Sequence, residues 1–368
     1  MKNIEDRVNK GILGIKPYVP GKTVYEVARE RGVNNIIKLA SNENPFGMAG
    51  KAKDRLSRDA AAGFAYPEVT TEKFRTRLAE KLGIAANAII TGNGGDGIIY
   101  ALAMTLLNEG DEAIIPEITF PYYEIAVRMM RGNVVSSAMK EYAIDLEDIL
   151  QKITPKTKMI WLCNPNNPTG LQINKEEINR FLDRVPEQVF VIHDEVYADF
   201  ADLQAFPDTL EMIRSRRENL FLIRSCSKIY GLAGVRLGYG IGDPDLVSMM
   251  YRVRPPFDVS VLAELAGVAA LEDDEFYNKT LELTRSEKEY YYQECATRKL
   301  FYLPSATNFI LIDVKSDCMA IADAMLDSGV IVRPCANYGL PSFIRVTIGI
   351  HEQNVRFFTA LDRALKQQ

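Results

Sequence analysis

The chain has only two histidines, and its five cysteines (Cys163, Cys226, Cys295, Cys318 and Cys335) are scattered, with no Cys-x-x-Cys among them. That leaves no ligand set for a zinc-type metal site and no framework of disulfides. An odd number of dispersed thiols predicts a reduced, cytoplasmic protein. No apolar run approaches the roughly 18 residues of a membrane-spanning helix. The opening MKNIEDRVNK is charged and lacks the apolar stretch of a secretory leader. Basic runs are missing as well. The 44 Lys and Arg against 49 Asp and Glu give a formal charge of −5, so nothing electrostatic favours nucleic acid or a membrane surface as partner.

What remains is an ordinary globular balance: 368 residues, 47% hydrophobic and 25% charged. This is enough apolar material for a large core and about two domains. From Ala113 to Ser225 short apolar runs alternate with helical patterns. AIIP (113–116), NVVSSAM (133–139), KMIWLC (158–163), VFVIHDE (189–195) and LFLIRS (220–225) read as strands. PYYEIAVRMMRG (121–132), DLEDILQKI (145–153) and NKEEINRFLDRV (174–185) read as helices. The strands are mostly continuous rather than alternating in hydrophobicity. This implies burial on both faces, hence an α/β protein with a mostly parallel sheet flanked by helices. That large domain is expected over 46–275. A long helix over 273–298 leads into a smaller α+β domain, 276–368, and the segment 1–45 is expected to pack on it.

Four stretches carry candidate chemistry. GNGGDG (92–97) fits a dinucleotide-type glycine pattern, with Glu112 at the matching distance. Physically it offers backbone N–H groups at a helix start to an anion such as a phosphate, or it is simply a glycine-rich helix start. CNPNNPTG (163–170) forces a turn at the end of a strand, where α/β sheets bind ligands. In VFVIHDEVY (189–197), Asp194 ends a buried strand, and such a carboxylate needs a cation or several donors. Alternation turns His193 to the opposite face, which makes it structural. In RSCSKIYGLAGVRLGYG (224–240), Lys228 sits between Ser225 and Ser227 on one side and Arg236 on the other. A cationic, partly desolvated setting lowers an amine's pKa and frees it as a nucleophile.

One ligand satisfies all four stretches: pyridoxal 5'-phosphate (PLP). Its aldehyde suits Lys228 as a Schiff base, its ring nitrogen Asp194, and its phenolic oxygen Asn167 and Tyr197. Its phosphate suits Gly94, Gly95, Asp96, Ser225, Ser227 and Arg236. NPNNPTG, DEVY and SCSKIYGLAGVRLGY resemble the fold-type I PLP aminotransferases. KLASNENPFG (38–47), FAYPE (64–68), TGNGGDGII (91–99), FPYYE (120–124), RPPFDVS (254–260) and VRP…NYGLPSFIRVTIG (332–349) resemble the histidinol-phosphate aminotransferases within them. The resemblance runs from about Tyr18 to Gly349.

This resemblance implies a ping-pong transfer from an amino donor to a 2-oxo acid, with Lys228, Asp194 and Tyr197 as catalytic residues. It implies that Phe120 stacks on the cofactor and that Tyr66 reaches the phosphate of the partner subunit's site in a homodimer. Arg345 is expected to grip the donor's carboxylate, with Tyr18, Asn42 and Arg333 lining the substrate pocket. An aromatic amino-acid aminotransferase, or a lyase similar to threonine-phosphate decarboxylase, would share most of these motifs. The family's loop reads GxGSDE. Here Gly95 stands for the serine and Gly97 for the glutamate.

Overall fold

The computed structural model describes residues 3–17, 21–215 and 217–367. The long apolar runs form a seven-stranded sheet from β1 (Ile89–Asn93), β2 (Glu112–Pro116), β3 (Asn133–Ser137), β4 (Thr157–Cys163), β5 (Phe190–Asp194), β6 (Leu220–Ser225) and β7 (Leu237–Ile241). Their order is β1-β7-β6-β5-β4-β2-β3, and all run parallel except β7, which is antiparallel to both neighbours. Separate apolar cores cover the two faces: Leu162, Val191 and Leu222 belong to one, Trp161, Ile192 and Ile223 to the other. This double burial explains why β4, β5 and β6 are nearly unbroken in hydrophobicity.

Strand β7 is the element that sequence patterning misses. LGYGI is rich in glycine and reads as the tail of a loop. The glycines are there because β7 runs close to other parts of the chain. A side chain at Gly238 would lie 2.4 Å from the backbone of Gly94, and one at Gly240 would meet the Phe221 ring at 2.4 Å.

A 24-residue helix, Asp274–Thr297, leads out of the large sheet. It delivers the chain to an antiparallel four-stranded sheet of β8 (Phe301–Leu303), β9 (Phe309–Asp313), β10 (Arg333–Pro334) and β11 (Phe343–Thr347), in the order β8-β9-β11-β10. The run 330–334 is divided between two sheets. Val330–Ile331 pairs in parallel with Ile37–Lys38, and only Arg333–Pro334 joins β11. Within the N-terminal segment, Val27 of the helix Val24–Arg31 packs with Leu326 and Ile331. Asn9 Nδ2, nearer the start, donates at 3.1 Å to Met129 O, at the end of the helix Tyr122–Met129.

In register, Asp194 stands between Cys163 of β4 and Ile223 of β6 at the carboxyl ends of the central strands. His193 faces the other way, as alternation predicts. Its Nδ1 lies 2.8 Å from Glu195 Oε1 and its Nε2 3.2 Å from Asn164 Nδ2. This arrangement fits a ring that donates through Nδ1–H and accepts at Nε2. Arg224 donates to the other Glu195 oxygen at 2.8 and 2.6 Å. Burial alone would raise the Glu195 pKa, but Arg224, with His193 and Thr209, holds it at about 2. The depressed value means that the pair's contribution is present above the ordinary glutamate range and is lost as pH falls toward 2. Glu195→Gln is expected to destabilise the protein by about 3 kcal/mol at neutral pH, because the Arg224 charge loses its partner. Denaturant melts should show that difference shrinking steadily below pH 4.

Candidate active site

The carboxyl ends of β1, β4, β5 and β6 open on a cavity of about 180 Å³ lined by Gly95, Asp96, Phe120, Asn167, Asp194, Tyr197, Ser225, Ser227, Lys228 and Arg236. The fold therefore gathers into one place residues that are spread over more than 140 positions of sequence. Crevices of this kind, beyond the strand ends of an α/β sheet, are where such folds take ligands.

At one end lies the start of the helix Gly94–Leu106. Gly94 has φ +69°, and the Arg236 guanidinium occupies the space a side chain there would need, 2.2 Å from an ideal Cβ. Only glycine permits this approach. Arg236 itself has φ +63°, a costly conformation for a residue with a side chain. It directs the guanidinium to Asp96 Oδ2 at 3.1 Å and Asn93 O at 3.3 Å. Ser225 and Ser227 join their hydroxyls at 2.8 Å on the adjoining wall. First-turn N–H groups, two hydroxyls and a guanidinium thus converge as an anion cradle. The dinucleotide reading of GNGGDG fails on geometry. Glu112 begins β2, at the opposite end of the sheet, and accepts from Thr154 Oγ1 at 2.5 Å.

At the floor is Asp194. Its Oδ2 accepts from Tyr123 Oη at 2.6 Å and its Oδ1 from Val196 N–H at 3.1 Å. No cationic side chain among the described residues lies within ion-pair distance of it. Burial pushes its pKa up to about 6, against the pull of Tyr123 and Val196. Tyr123 is a residue that sequence reasoning missed. It is fully buried and stacked on Trp161 at 4.7 Å, so it belongs to the core and to the site at once. The second tyrosine of FPYYE was the available signal, but an aromatic in a helix reads first as core.

Lys228, half-buried, donates to Ser41 O at 3.2 Å and has no carboxylate partner among the described residues. Burial, reinforced by the positive charge of Arg345, draws its pKa down to about 8. Tyr197 Oη accepts from Asn42 Nδ2 at 2.8 Å. Asn167 Oδ1 accepts from Arg345, whose Nη2 also donates to Ala40 O at 2.9 Å. The Nε of Arg345 is buried without a partner among the described residues. Residues 40–42 and β11 therefore close the cavity from the side of the small sheet. Phe120 stands on its wall with its ring parallel to that of Tyr122, 5.3 Å away.

Two expected residues lie elsewhere. Tyr66 is 82% exposed and stacks on Phe257 at 4.6 Å, outside its own chain's cavity. Arg333, opposite Arg345 in register, lines a neighbouring cavity of about 570 Å³ with Lys16 and Lys22. Tyr18 lies outside the described residues. Among the described residues, no cluster of His, Cys, Asp or Glu has the makings of a metal site.

The cavity fits PLP on its own evidence. It holds a buried carboxylate with no cation, an amine of lowered pKa and an anion cradle, and each matches one part of that molecule.

Comparison with known proteins gives a consistent picture. Residues 34–361 match the family model described as aminotransferase class I and II. The chain is 42% identical over 360 residues to histidinol-phosphate aminotransferase 2 of Carboxydothermus hydrogenoformans, covering 98% of this chain and 99% of that protein. It is 40% identical over 359 residues to the histidinol-phosphate aminotransferase of Moorella thermoacetica, covering 98% and 93%. The solved histidinol-phosphate aminotransferase of Sinorhizobium meliloti, in complex with PLP, superposes with a TM-score of 0.89 at 25% identity, covering 98% of each chain. An aspartate aminotransferase from Thermus thermophilus, 22% identical, shares the fold with a TM-score of 0.84 over 98% of this chain and 99% of that one.

The lowered pKa of Lys228 has a kinetic consequence. Its neutral amine is the form that captures an aldehyde, and roughly one in ten is neutral at pH 7 when the pKa is about 8. The rate at which the apoprotein takes up PLP, followed by stopped-flow absorbance, is expected to rise with pH and level off just above 8. An ordinary lysine would keep it rising toward 10.

Proposed function

We propose that this chain, which belongs to the class I and II aminotransferase family, moves an amino group from histidinol phosphate to 2-oxoglutarate. As a family member it is a PLP-dependent transferase. Its seven-stranded mixed sheet with a smaller antiparallel sheet is the fold-type I arrangement.

The observation that carries the substrate reading is the pairing of Arg333 with Arg345. They stand directly opposite on β10 and β11, and both are buried. Two guanidinium groups side by side are matched to molecules that bring a carboxylate or a phosphate to them. Arg345, at the cofactor cavity, is suited to a carboxylate such as that of glutamate or 2-oxoglutarate. Arg333, in the adjoining cavity beside Lys16 and Lys22, is suited to a phosphate. The names of the relatives at about 40% identity support the same reading.

When bound, PLP supplies an aldehyde for the migrating amino group and a protonated ring that accepts the electron pair left as the Cα proton departs. Asp194 would hold the proton on the ring nitrogen, itself kept in place by Tyr123 and Val196. Tyr197 and Asn167 would hold the phenolic oxygen, and Phe120 would cover one face of the ring. Gly95, Asp96, Ser225, Ser227 and Arg236 would hold the phosphate, while Gly94, expected among them, donates its N–H to Arg236 O at 3.1 Å. Lys228, once its amine is free and neutral, would take the Cα proton as a general base and hold it as an ammonium for delivery across the transferred nitrogen. Asn42, bonded to Tyr197, keeps that hydroxyl directed to the cavity.

A homodimer with shared sites belongs to this reading. Phe64, Tyr66 and Phe257 are 94%, 82% and 45% exposed, an apolar patch suited to a second copy. Tyr66 would then reach the partner's phosphate cradle. A cytoplasmic location accords with five free cysteines, all buried.

Half-reactions test the substrate. Histidinol phosphate is expected to bleach the PLP absorbance faster at low concentration than phenylalanine or tyrosine. Preference for an aromatic amino acid, or carbon dioxide release from threonine phosphate without any oxo acid, would replace the assignment. A hybrid test addresses Tyr66. Lys228→Ala is expected to lose turnover by several orders of magnitude, since nucleophile and base go together. Refolding it with Tyr66→Ala is expected to restore tight PLP binding and turnover at sites that combine Lys228 of one subunit with Tyr66 of the other. No recovery on mixing would place Tyr66 outside the partner's site.

A further inference from the structure

The helix Gly94–Leu106 begins without help from its own side chains. Asn93, at its N-cap, makes no capping bond. In an ordinary capping box the residue three positions on reaches back to the N-cap N–H. Here that residue is Asp96, and it does not reach back: its Oδ2 accepts from Arg236 at 3.1 Å instead. The N–H of Asn93 is taken by Asp258 Oδ2 at 2.9 Å, from a loop 165 residues away in sequence.

The same carboxylate explains a glycine. An ideal Cβ at Gly97 would lie 3.2 Å from Asp258 Oδ2 and 3.4 Å from the carbonyl carbon of Gly92. A side chain at 97 would thus enter the space Asp258 fills, next to the N–H it serves. Asp258 is held there from its own side. Its side chain is 14% exposed, and Arg254 Nε lies 3.8 Å from it, four residues back in sequence. Arg254 is in turn fixed by donating to Val69 O at 2.7 Å.

We propose that Asp258 is a positioning residue for the phosphate cradle. It supplies, from a distant loop, the reach-back half of a capping box. This leaves Asp96 free to aim Arg236, and it requires a residue without a side chain at 97. The inference rests on the cradle's taking the PLP phosphate. It goes beyond that reading in assigning a role to a residue that touches neither cofactor nor substrate.

The test is a double-mutant cycle on the apoprotein, with the PLP dissociation constant read by fluorescence quenching and the apoprotein melting temperature read alongside. Asp258→Ala is expected to weaken PLP binding by about fivefold or more, the equivalent of one helix cap. Gly97→Glu alone is expected to weaken it too, because two carboxylates then compete for one N–H. The double variant, with one carboxylate again in that space, is expected to bind PLP more tightly than either single variant. Additive weakening, or Asp258→Ala binding like the parent, overturns the proposal. So does a melting temperature that falls while PLP affinity is unchanged. Should Asp258→Ala not fold, Asp258→Asn takes its place with the same expected direction, the same rescue and the same overturning results. A parent chain that did not bind PLP would overturn the cradle itself. A parent that binds, with additive variants, overturns only the role of Asp258.

Discussion

Asp194 and Lys228 carry opposite charges, share one small cavity and form no ion pair. Each is disfavoured in its charged form by burial, and their pKa values approach one another, about 6 and about 8. A direct bond would relieve both and would block the site. The strand register prevents it. Asp194 is fixed at the end of β5 by Tyr123 and Val196, while Lys228 follows β6 on a separate turn and donates to Ser41 O. The apparatus around them keeps these two groups apart and receptive. Behind Asp194, Glu195 with Arg224 and His193 stiffens the strand end from the opposite face.

The closure of the cavity from the small sheet has the same logic. Arg345 reaches from β11 to Asn167 of the NPNNPTG turn, and Asn42 reaches to Tyr197. Polar contacts therefore cross between the two sheets at the cavity, where an incoming ligand can exchange them for its own. The Nε of Arg345, without a partner among the described residues, marks the donor that such a ligand would satisfy.

Much of this was legible in the sequence, for identifiable reasons. Parallel strands buried on both faces leave unbroken apolar runs, so β4, β5 and β6 could be placed, and with them Asp194 and Lys228 at the strand ends. The turn chemistry of NPNNPTG and the glycine loop marked two more walls. Legibility failed where tertiary contact decides. Strand β7 is hidden because its glycines serve close approach to Gly94 and Phe221 rather than flexibility. Tyr123 was invisible because burial and function coincide in one side chain. Asp258 could not be linked to Asn93 or Gly97 by any local pattern, since the bond joins two segments far apart. The glycine pattern of 92–97 was ambiguous between dinucleotide and phosphate readings until the position of Glu112 separated them.

The strand order bears on when the site comes into being as the chain is made. Strand β1, which leads into the cradle helix, lies at the edge of the sheet and has β7 as its only neighbour there. Until residues 237–241 have been synthesised, β1 has no strand to pair with, although β2 to β6 can already assemble. Non-local pairings of this kind are slow steps in folding. Domains of this size pass through partly assembled states. Insertion of β7 joins β1 to the sheet and brings Arg236 to Gly94 in the same event. A chain that lacks this pairing has strands but no phosphate cradle, so cofactor capture reports on the joining of β1 to the sheet.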